Sequence, residues 1–133
     1  MSNIFPTNAS VVVIGGGVMG CSTAYHLAKA GCRDVVLLER KQLTSGTSWH
    51  SAAQVRALRS SENLTRMIQY STKLYQSLEE ETGQSTGWLQ TGSLSLATNK
   101  ERFIHIKRQA SLARLFGIEV NVVSPERRVD CGL

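Results

Sequence analysis

Residues 10–20 read "SVVVIGGGVMG", and this stretch decides the fold. Val11, Val12, Val13 and Ile14 are four consecutive β-branched residues. Their stiff side chains suit a pleated strand, and the lack of polar alternation predicts a strand buried on both faces. Gly15, Gly17 and Gly20 then form G-x-G-x-x-G. The following "CSTAYHLAKAG" predicts a helix, with Ala24, Leu27 and Ala28 at helical spacing and Gly31 placed to end it. Beyond it "DVVLLER" repeats the buried-strand pattern from Val35 to Leu38 and reaches an acid, Glu39.

Strand, glycine turn, helix, strand and an acid about 20 residues after the last glycine form the signature of a dinucleotide-binding unit. Gly15 permits the tight turn and Gly17 lets backbone approach a pyrophosphate. Gly20 lets helix and strand pack closely, and the amides at the helix start meet phosphate charge. Glu39 is positioned to accept hydrogen bonds from ribose hydroxyls, and its charge disfavours a 2′-phosphate.

The bulk properties narrow the classes. The chain has 133 residues and a formal net charge of +5, enough for one small domain with a core. Arg56, Arg59, Lys73, Lys100, Arg108 and Arg114 are scattered, without interleaved aromatic residues, which argues against nucleic-acid binding. No apolar run approaches the roughly 20 residues needed to span a bilayer. "MSNIFPTNAS" has neither a basic nor a hydrophobic leader region, and no transit peptide is visible. The expected location is therefore cytoplasmic, or the mitochondrial matrix in a eukaryote. Cys21, Cys32 and Cys131 show no metal-like pairing and read as reduced thiols; no metal site is expected.

Further along, "SENLTRMIQYSTKLYQSLEEETG" predicts a long amphipathic helix ended by Gly83. Leu64, Met67, Ile68, Leu74, Tyr75 and Leu78 form its apolar face, with Met67 and Tyr75 read as core. Glu79, Glu80 and Glu81 read as a solvated end. "TGWLQTGSLSLAT" alternates like a strand, with Leu94 and Leu96 on one side and Ser93 and Ser95 on the other. "KERFIHIKRQASLARLFG" predicts a helix packing through Phe103, Ile106, Leu112 and Leu115 and closed by Gly117. "IEVNVV" reads as a strand and "SPER" as the start of another helix.

The loop after Glu39 separates two cofactor classes. In nicotinamide-dependent enzymes this stretch usually continues the nucleotide-binding sheet. Here it runs into "KQLTSGTSWHSAA", a loop of small residues that allows close backbone approach to a pyrophosphate and an isoalloxazine ring. Thr47 and Ser48 offer hydroxyls to phosphate or ribitol. On spacing alone, His50 reads more simply as a packing or surface residue. His26 and His105 read as structural or exposed.

These stretches, with "LTSGTSWHSAA", "LYQSLEEETGQSTGWLQTGSLSLAT" and "VVSPE", resemble the N-terminal part of the dimethylglycine and sarcosine dehydrogenase group. That group lies among the D-amino-acid-oxidase-like flavoproteins. The likeness runs from about Ser10 to Glu126, and Trp49-His50 is its most specific part. The fold class it implies is α/β, a Rossmann-like FAD-binding βαβ unit (1–60) joined to the start of an α+β substrate region (61–133), apparently truncated.

The resemblance implies that His50 is linked covalently to the 8α position of FAD. It also implies cofactor contacts from Val18, Met19, Glu39, Arg40, Gly46, Thr47, Ser48, Trp49, Ser51, Ala52, Ala53 and Gln54, beside Gly15, Gly17 and Gly20. Attachment needs a neutral imidazole as nucleophile, which suits a loop poor in charge. The family reaction is oxidation of a small N-methyl amine. A hydride leaves the methyl carbon for flavin N5, and the resulting iminium is intercepted by water or by tetrahydrofolate, the latter only in a full-length protein. A covalent histidyl link is expected to raise the flavin potential. The electron acceptor and the catalytic groups are not readable from the sequence. Arg56 and Arg59 could meet a substrate carboxylate, but the plain surface reading is preferred.

Family members continue for hundreds of residues, and "RRVDCGL" does not align with their next helix. The isolated chain is therefore expected to bind FAD weakly and to be inactive. Two other readings stay open. One is a non-catalytic regulatory relative of the same fold, resembling the regulatory subunit of pyruvate dehydrogenase phosphatase, which lacks a histidine at the place of His50. The other is a nicotinamide-dependent dehydrogenase module, which the loop after Glu39 disfavours.

Overall fold

A computed structural model describes residues 6–123. Along the chain lie β1 (Val11–Ile14), α1 (Val18–Lys29), β2 (Val35–Leu38), a single 3-10 turn (Thr47–His50), α2 (Glu62–Thr82) and α3 (Lys100–Leu115). The chain divides into two compact units, one ending at Gln54 and one beginning at Val55.

In the first unit β1 and β2 pair in parallel, Val11 opposite Val35 and Ile14 opposite Leu38, and α1 packs against both strands. Polar contacts fix the register at the strand starts. Asp34 Oδ2 accepts the Ser10 amide at 2.8 Å and the Ser10 hydroxyl at 3.0 Å, while the Asp34 carbonyl accepts the Val11 amide. α1 begins at Val18, three residues before the stretch read as helix, and Gly31 with φ 91° follows its last turn as expected. Cys21 and Cys32 are free thiols.

The prediction of strands buried on both faces needs correction. Val11 and Val13 are half-buried, whereas Val12 is 50% and Ile14 86% exposed. α1 covers one face, and among the described residues the outward side chains of β1 remain open. Ala28, expected on the packed face of α1, is exposed as well.

The second unit holds α2 and α3. Gly83 ends α2 in a left-handed C-cap with φ 70°, its amide donating to the Glu79 carbonyl at 2.8 Å. Ile68, Leu74, Tyr75 and Leu78 are half-buried, but Leu64 and Met67 are exposed, so Met67 is not a core residue. Tyr75 stacks on Trp88, ring centroids 5.5 Å apart and planes 9° from parallel. In α3 the Asn99 side chain accepts the Arg102 amide at 2.8 Å, a good N-cap. Its buried residues are Ala110 and Ala113, while Phe103 and Leu115 are exposed. Ile106 and Leu112, of the large residues chosen from sequence, are half-buried, so the packed stripe of α3 combines these two with the small Ala110 and Ala113.

Among the described residues a substantial core is not found. Among the described residues Ala110 and Ala113 are the buried hydrophobic ones, and Thr65 is the largest fully buried side chain. Residues 86–98 and 118–123, both expected as strands, are irregular where described. Alternation gives a strand a face but not a partner, and without ladder hydrogen bonds a strand does not form. The "SPER" helix start and Cys131 lie outside the described residues.

Candidate cofactor site

The site grows from the end of β1. The Gly15 amide donates to the Leu38 carbonyl at 2.8 Å, continuing the ladder into the turn, and Gly15 then adopts φ 106°. A methyl group on Gly20 would lie 1.8 Å from the Gly15 carbonyl oxygen. The turn therefore closes directly onto α1, and no side chain fits between them.

α1 starts without a cap from its own N-cap residue. Its N-cap Gly17 has no side chain to satisfy the helix amides, and its first turn holds no acid. Val18 and Met19 are 53% and 79% exposed at this end. The helix dipole and the first-turn amides beyond that of Val18 favour an anion here.

The loop after β2 folds back onto the turn. Glu39 Oε2 accepts the Gly16 amide at 2.7 Å, and Oε1 accepts the Lys41 amide at 2.9 Å. These bonds, Gly16 first, hold the carboxyl below the ordinary glutamate value. Each oxygen keeps a further lone pair for a hydroxyl donor. The Gly16 carbonyl accepts the Thr44 amide at 2.8 Å. Ser48 Oγ accepts the Val18 amide at 2.9 Å, so a hydroxyl thirty residues away serves as the missing cap of α1.

Next to Ser48 stand Trp49 and His50, ring centroids 4.2 Å apart and tilted by 39°. Trp49 is 68% exposed, and His50 is exposed too. The Ser51 amide bonds back to the Ser48 carbonyl at 3.2 Å, closing the 3-10 turn. Two non-glycine residues in the left-handed region, Thr44 at φ 63° and Ala53 at φ 53°, flank this segment.

The first unit thus brings together Gly15, Gly17, Val18, Gly20, Glu39 and Ser48 through short-range contacts, with Trp49 and His50 on the turn after them. Gly46, Thr47, Ala52 and Gln54 belong to the same segment, and Arg40 and Met19 are exposed beside it. His26 bonds within its own helix, Nδ1 lying 2.7 Å from the Ser22 carbonyl, and His105 is exposed. Arg56 and Arg59 are exposed residues of the second unit. A groove lined by Met19, Ser22, Thr23, His26 and Leu27 runs along α1 and does not include the His50 loop.

Sequence reasoning missed Gly16, which sits at a variable position of G-x-G-x-x-G. Gly16 is buried, and a methyl group on it would meet Leu43 Cδ2 at 2.5 Å and Glu39 Cβ at 3.0 Å. The unbroken "GGG" was the available signal. Leu43 was missed too, because its contact depends on how the loop returns.

This donor set fits FAD: amides and a hydroxyl for an anionic pyrophosphate, a carboxylate for ribose hydroxyls, and an exposed aromatic and imidazole beyond them. Comparison with known proteins agrees. Residues 10–130 match the family model described as FAD dependent oxidoreductase. Human mitochondrial sarcosine dehydrogenase is 47% identical over 93% of this chain, and rat mitochondrial dimethylglycine dehydrogenase 47% over 90%. The mouse mitochondrial pyruvate dehydrogenase phosphatase regulatory subunit is 45% identical over 92%. This chain spans 14% of the length of each of these relatives. L-amino acid deaminase from Proteus vulgaris has a similar fold, with a TM-score of 0.79 over 95% of this chain and 30% of its own, at 17% identity. The α/β reading with a βαβ nucleotide-binding unit therefore holds, and the chain belongs to the FAD dependent oxidoreductase family.

Proposed function

We propose that this chain is the FAD-binding segment of an amine oxidoreductase acting on N-methylated glycines of the sarcosine or dimethylglycine type, with His50 as a covalent attachment point. The observation that carries the proposal is the segment Thr47–His50, tied by Ser48 to the start of α1 and presenting Trp49 and His50 to solvent. Gly15, Gly17, Val18 and Gly20 hold the pyrophosphate, Glu39 holds the ribose, and Met19, Arg40 and the residues from Gly46 to Gln54 line the remainder. When bound, FAD supplies hydride acceptance from the N-methyl carbon. The protein's own residues bind it, orient it and exclude water from its phosphates.

His50 would bond through an imidazole nitrogen to the 8α carbon. One proton leaves each partner, and two electrons pass to an external acceptor such as dioxygen. The range 1–60 is proposed as the FAD-binding part and 61–133 as the beginning of the substrate region. The chain taken alone is proposed to bind FAD weakly and to lack turnover, with tetrahydrofolate relevant only to a full-length protein. The location is proposed as cytoplasmic, or as the mitochondrial matrix in a eukaryote, the latter supported by the word mitochondrial in the relatives' names. Among the described residues no helix is long and apolar enough to cross a membrane.

The regulatory reading has its own support in the 45% identity to the phosphatase regulatory subunit. His50 favours the oxidoreductase reading, because the resemblance implies that the regulatory relative has no histidine at that place.

The deciding experiment incubates the chain with FAD, precipitates it in acid, and measures intact mass and flavin fluorescence. An FAD-sized increment that survives denaturation and vanishes in His50→Ala supports covalent attachment. Flavin that binds but is released by acid leaves the FAD-binding role and removes the covalent one. The same measurement on a longer protein that contains this chain completes the test: an increment seen only there marks the chain as an incomplete piece of the enzyme, and no flavin there shifts the reading to the regulatory relative.

A further inference from the structure

We infer that Ser48 is a positioning residue that sets where Trp49 and His50 stand relative to the glycine turn, an inference that rests on the FAD-binding reading above. Four contacts carry it. Gly16 is held on both sides of its backbone, its amide by Glu39 and its carbonyl by the Thr44 amide. Leu43 covers its Cα, where even a methyl group would collide. These fix the near end of the loop. The far end, four residues beyond Thr44, is fixed by the Ser48 hydroxyl on the Val18 amide.

The hydroxyl acts through geometry. Gly17 cannot cap α1, so the first-turn amide of Val18 takes its acceptor from another segment. That bond joins the helix start to the 3-10 turn whose next residues are Trp49 and His50. The Ser51 amide returns to the Ser48 carbonyl, so the backbone on both sides of His50 is referred to the same residue. Trp49 and His50 themselves bury little surface, and Trp49 is 68% exposed. Packing therefore does not hold them, and the Ser48 bond does. Threonine keeps the hydroxyl and alanine removes it, which separates this role from the volume of the side chain.

The test uses the 133-residue chain as wild type, Ser48→Ala and Ser48→Thr. Without cofactor, the Val18 amide is expected to exchange about fivefold faster in Ser48→Ala, the worth of one net hydrogen bond, and at the wild-type rate in Ser48→Thr. With saturating FAD, the Trp49 indole N–H resonance is followed, because a ring held against the isoalloxazine is displaced by its ring current. The wild type and Ser48→Thr are expected to show the displacement and Ser48→Ala to lose it, each compared at the flavin concentration that saturates that variant, whatever its affinity. A fully structural role for Ser48 would alter exchange and leave the saturated Trp49 shift unchanged, and that result overturns the inference. Equal behaviour of wild type and Ser48→Ala in both readouts overturns it too, with FAD binding intact. Absence of flavin binding by the wild type removes the FAD reading and this inference with it.

Discussion

The glycine turn at residues 15–20 and the stretch 86–98 both rely on glycine, for different reasons. In the turn, a methyl group on Gly16 or Gly20 would meet other atoms at 2.5 Å or 1.8 Å. In the stretch, Gly87 and Gly92 have positive φ of 67° and 76°, yet nothing lies within 4 Å of an added methyl. The first pair is required by neighbours, the second by the chain's own backbone. Neighbour-imposed glycines mark a place where segments close on one another, and here that place is the glycine turn between β1 and α1. Backbone-imposed glycines mark a bend and say nothing about what surrounds it.

The sharpest way to break this comparison is to add the methyl groups. Gly20→Ala faces a backbone carbonyl that cannot give way, so it is expected to cost on the order of 3 kcal/mol or more in the first unit and to abolish FAD binding. Gly16→Ala meets the flexible end of Leu43 first and should cost less. Its loss should be partly restored in Gly16→Ala/Leu43→Ala, a coupling that Gly20→Ala would not show. Amide exchange of residues 11–20, with an FAD titration, reads both. Equal, unrescued losses would mean that Leu43 does not sit on Gly16 in solution.

A buried hydroxyl gives the next effect. Thr65 is fully buried, and its oxygen lies 3.1 Å from the Arg59 amide, 3.2 Å from the Arg59 carbonyl and 2.9 Å from the Ser61 carbonyl. One hydroxyl thereby binds the entry segment to the first turn of α2. Thr65→Val keeps the shape and strands the Arg59 amide, so a loss of about 1–3 kcal/mol is expected in the second unit. Exchange at Arg59 should rise while exchange at Val18 stays unchanged. A matching change at Val18 would show that the two units open together.

Gly92→Ala should cost only about 1 kcal/mol, from the left-handed backbone alone. FAD binding should not change. A loss of binding would mean that residues 86–98 shape the glycine turn and that the contrast between the two glycine classes is wrong.

Much of the first unit was legible in sequence because its information is local. Four β-branched residues, three spaced glycines and Glu39 specify a strand, a turn and a second strand within thirty residues, and they stand where the pattern put them. The helix ends at Gly31 and Gly83 were legible for the same reason, since a left-handed cap needs a residue without a side chain. What the sequence hid was relational. Gly16 matters because Leu43 returns to it, and Ser48 matters because Gly17 leaves Val18 uncapped. The strand reading of "TGWLQTGSLSLAT" failed for a related reason: alternation describes a face, and pairing depends on a second segment. Even the buried Trp88 Nε1, which lacks a hydrogen-bond partner among the described residues, packs through its ring on Tyr75 and not through a strand.

The smallest effect concerns Glu39, whose two backbone clasps belong to the neighbour-imposed class. The Gly16 amide, and after it the Lys41 amide, hold its carboxyl below the ordinary value of 4.5. A lowered folded-state pKa stabilises the ionised form, so the contribution is complete above about 4.5 and is lost as the pH falls through the lower folded value. The Gly16 amide resonance in a pH titration should therefore shift with a midpoint under 4.5 in the wild type. In Glu39→Gln that transition should vanish, since the amide oxygen does not titrate in this window. Because the group is solvent-accessible, the change in unfolding stability should be small even though the resonance shift is clear. A midpoint at or above 4.5 would mean that the loop is not clasped on Gly16 without a ligand. The turn would then be closed by the cofactor and not by the chain, and the contrast between the two glycine classes would hold only in the bound state.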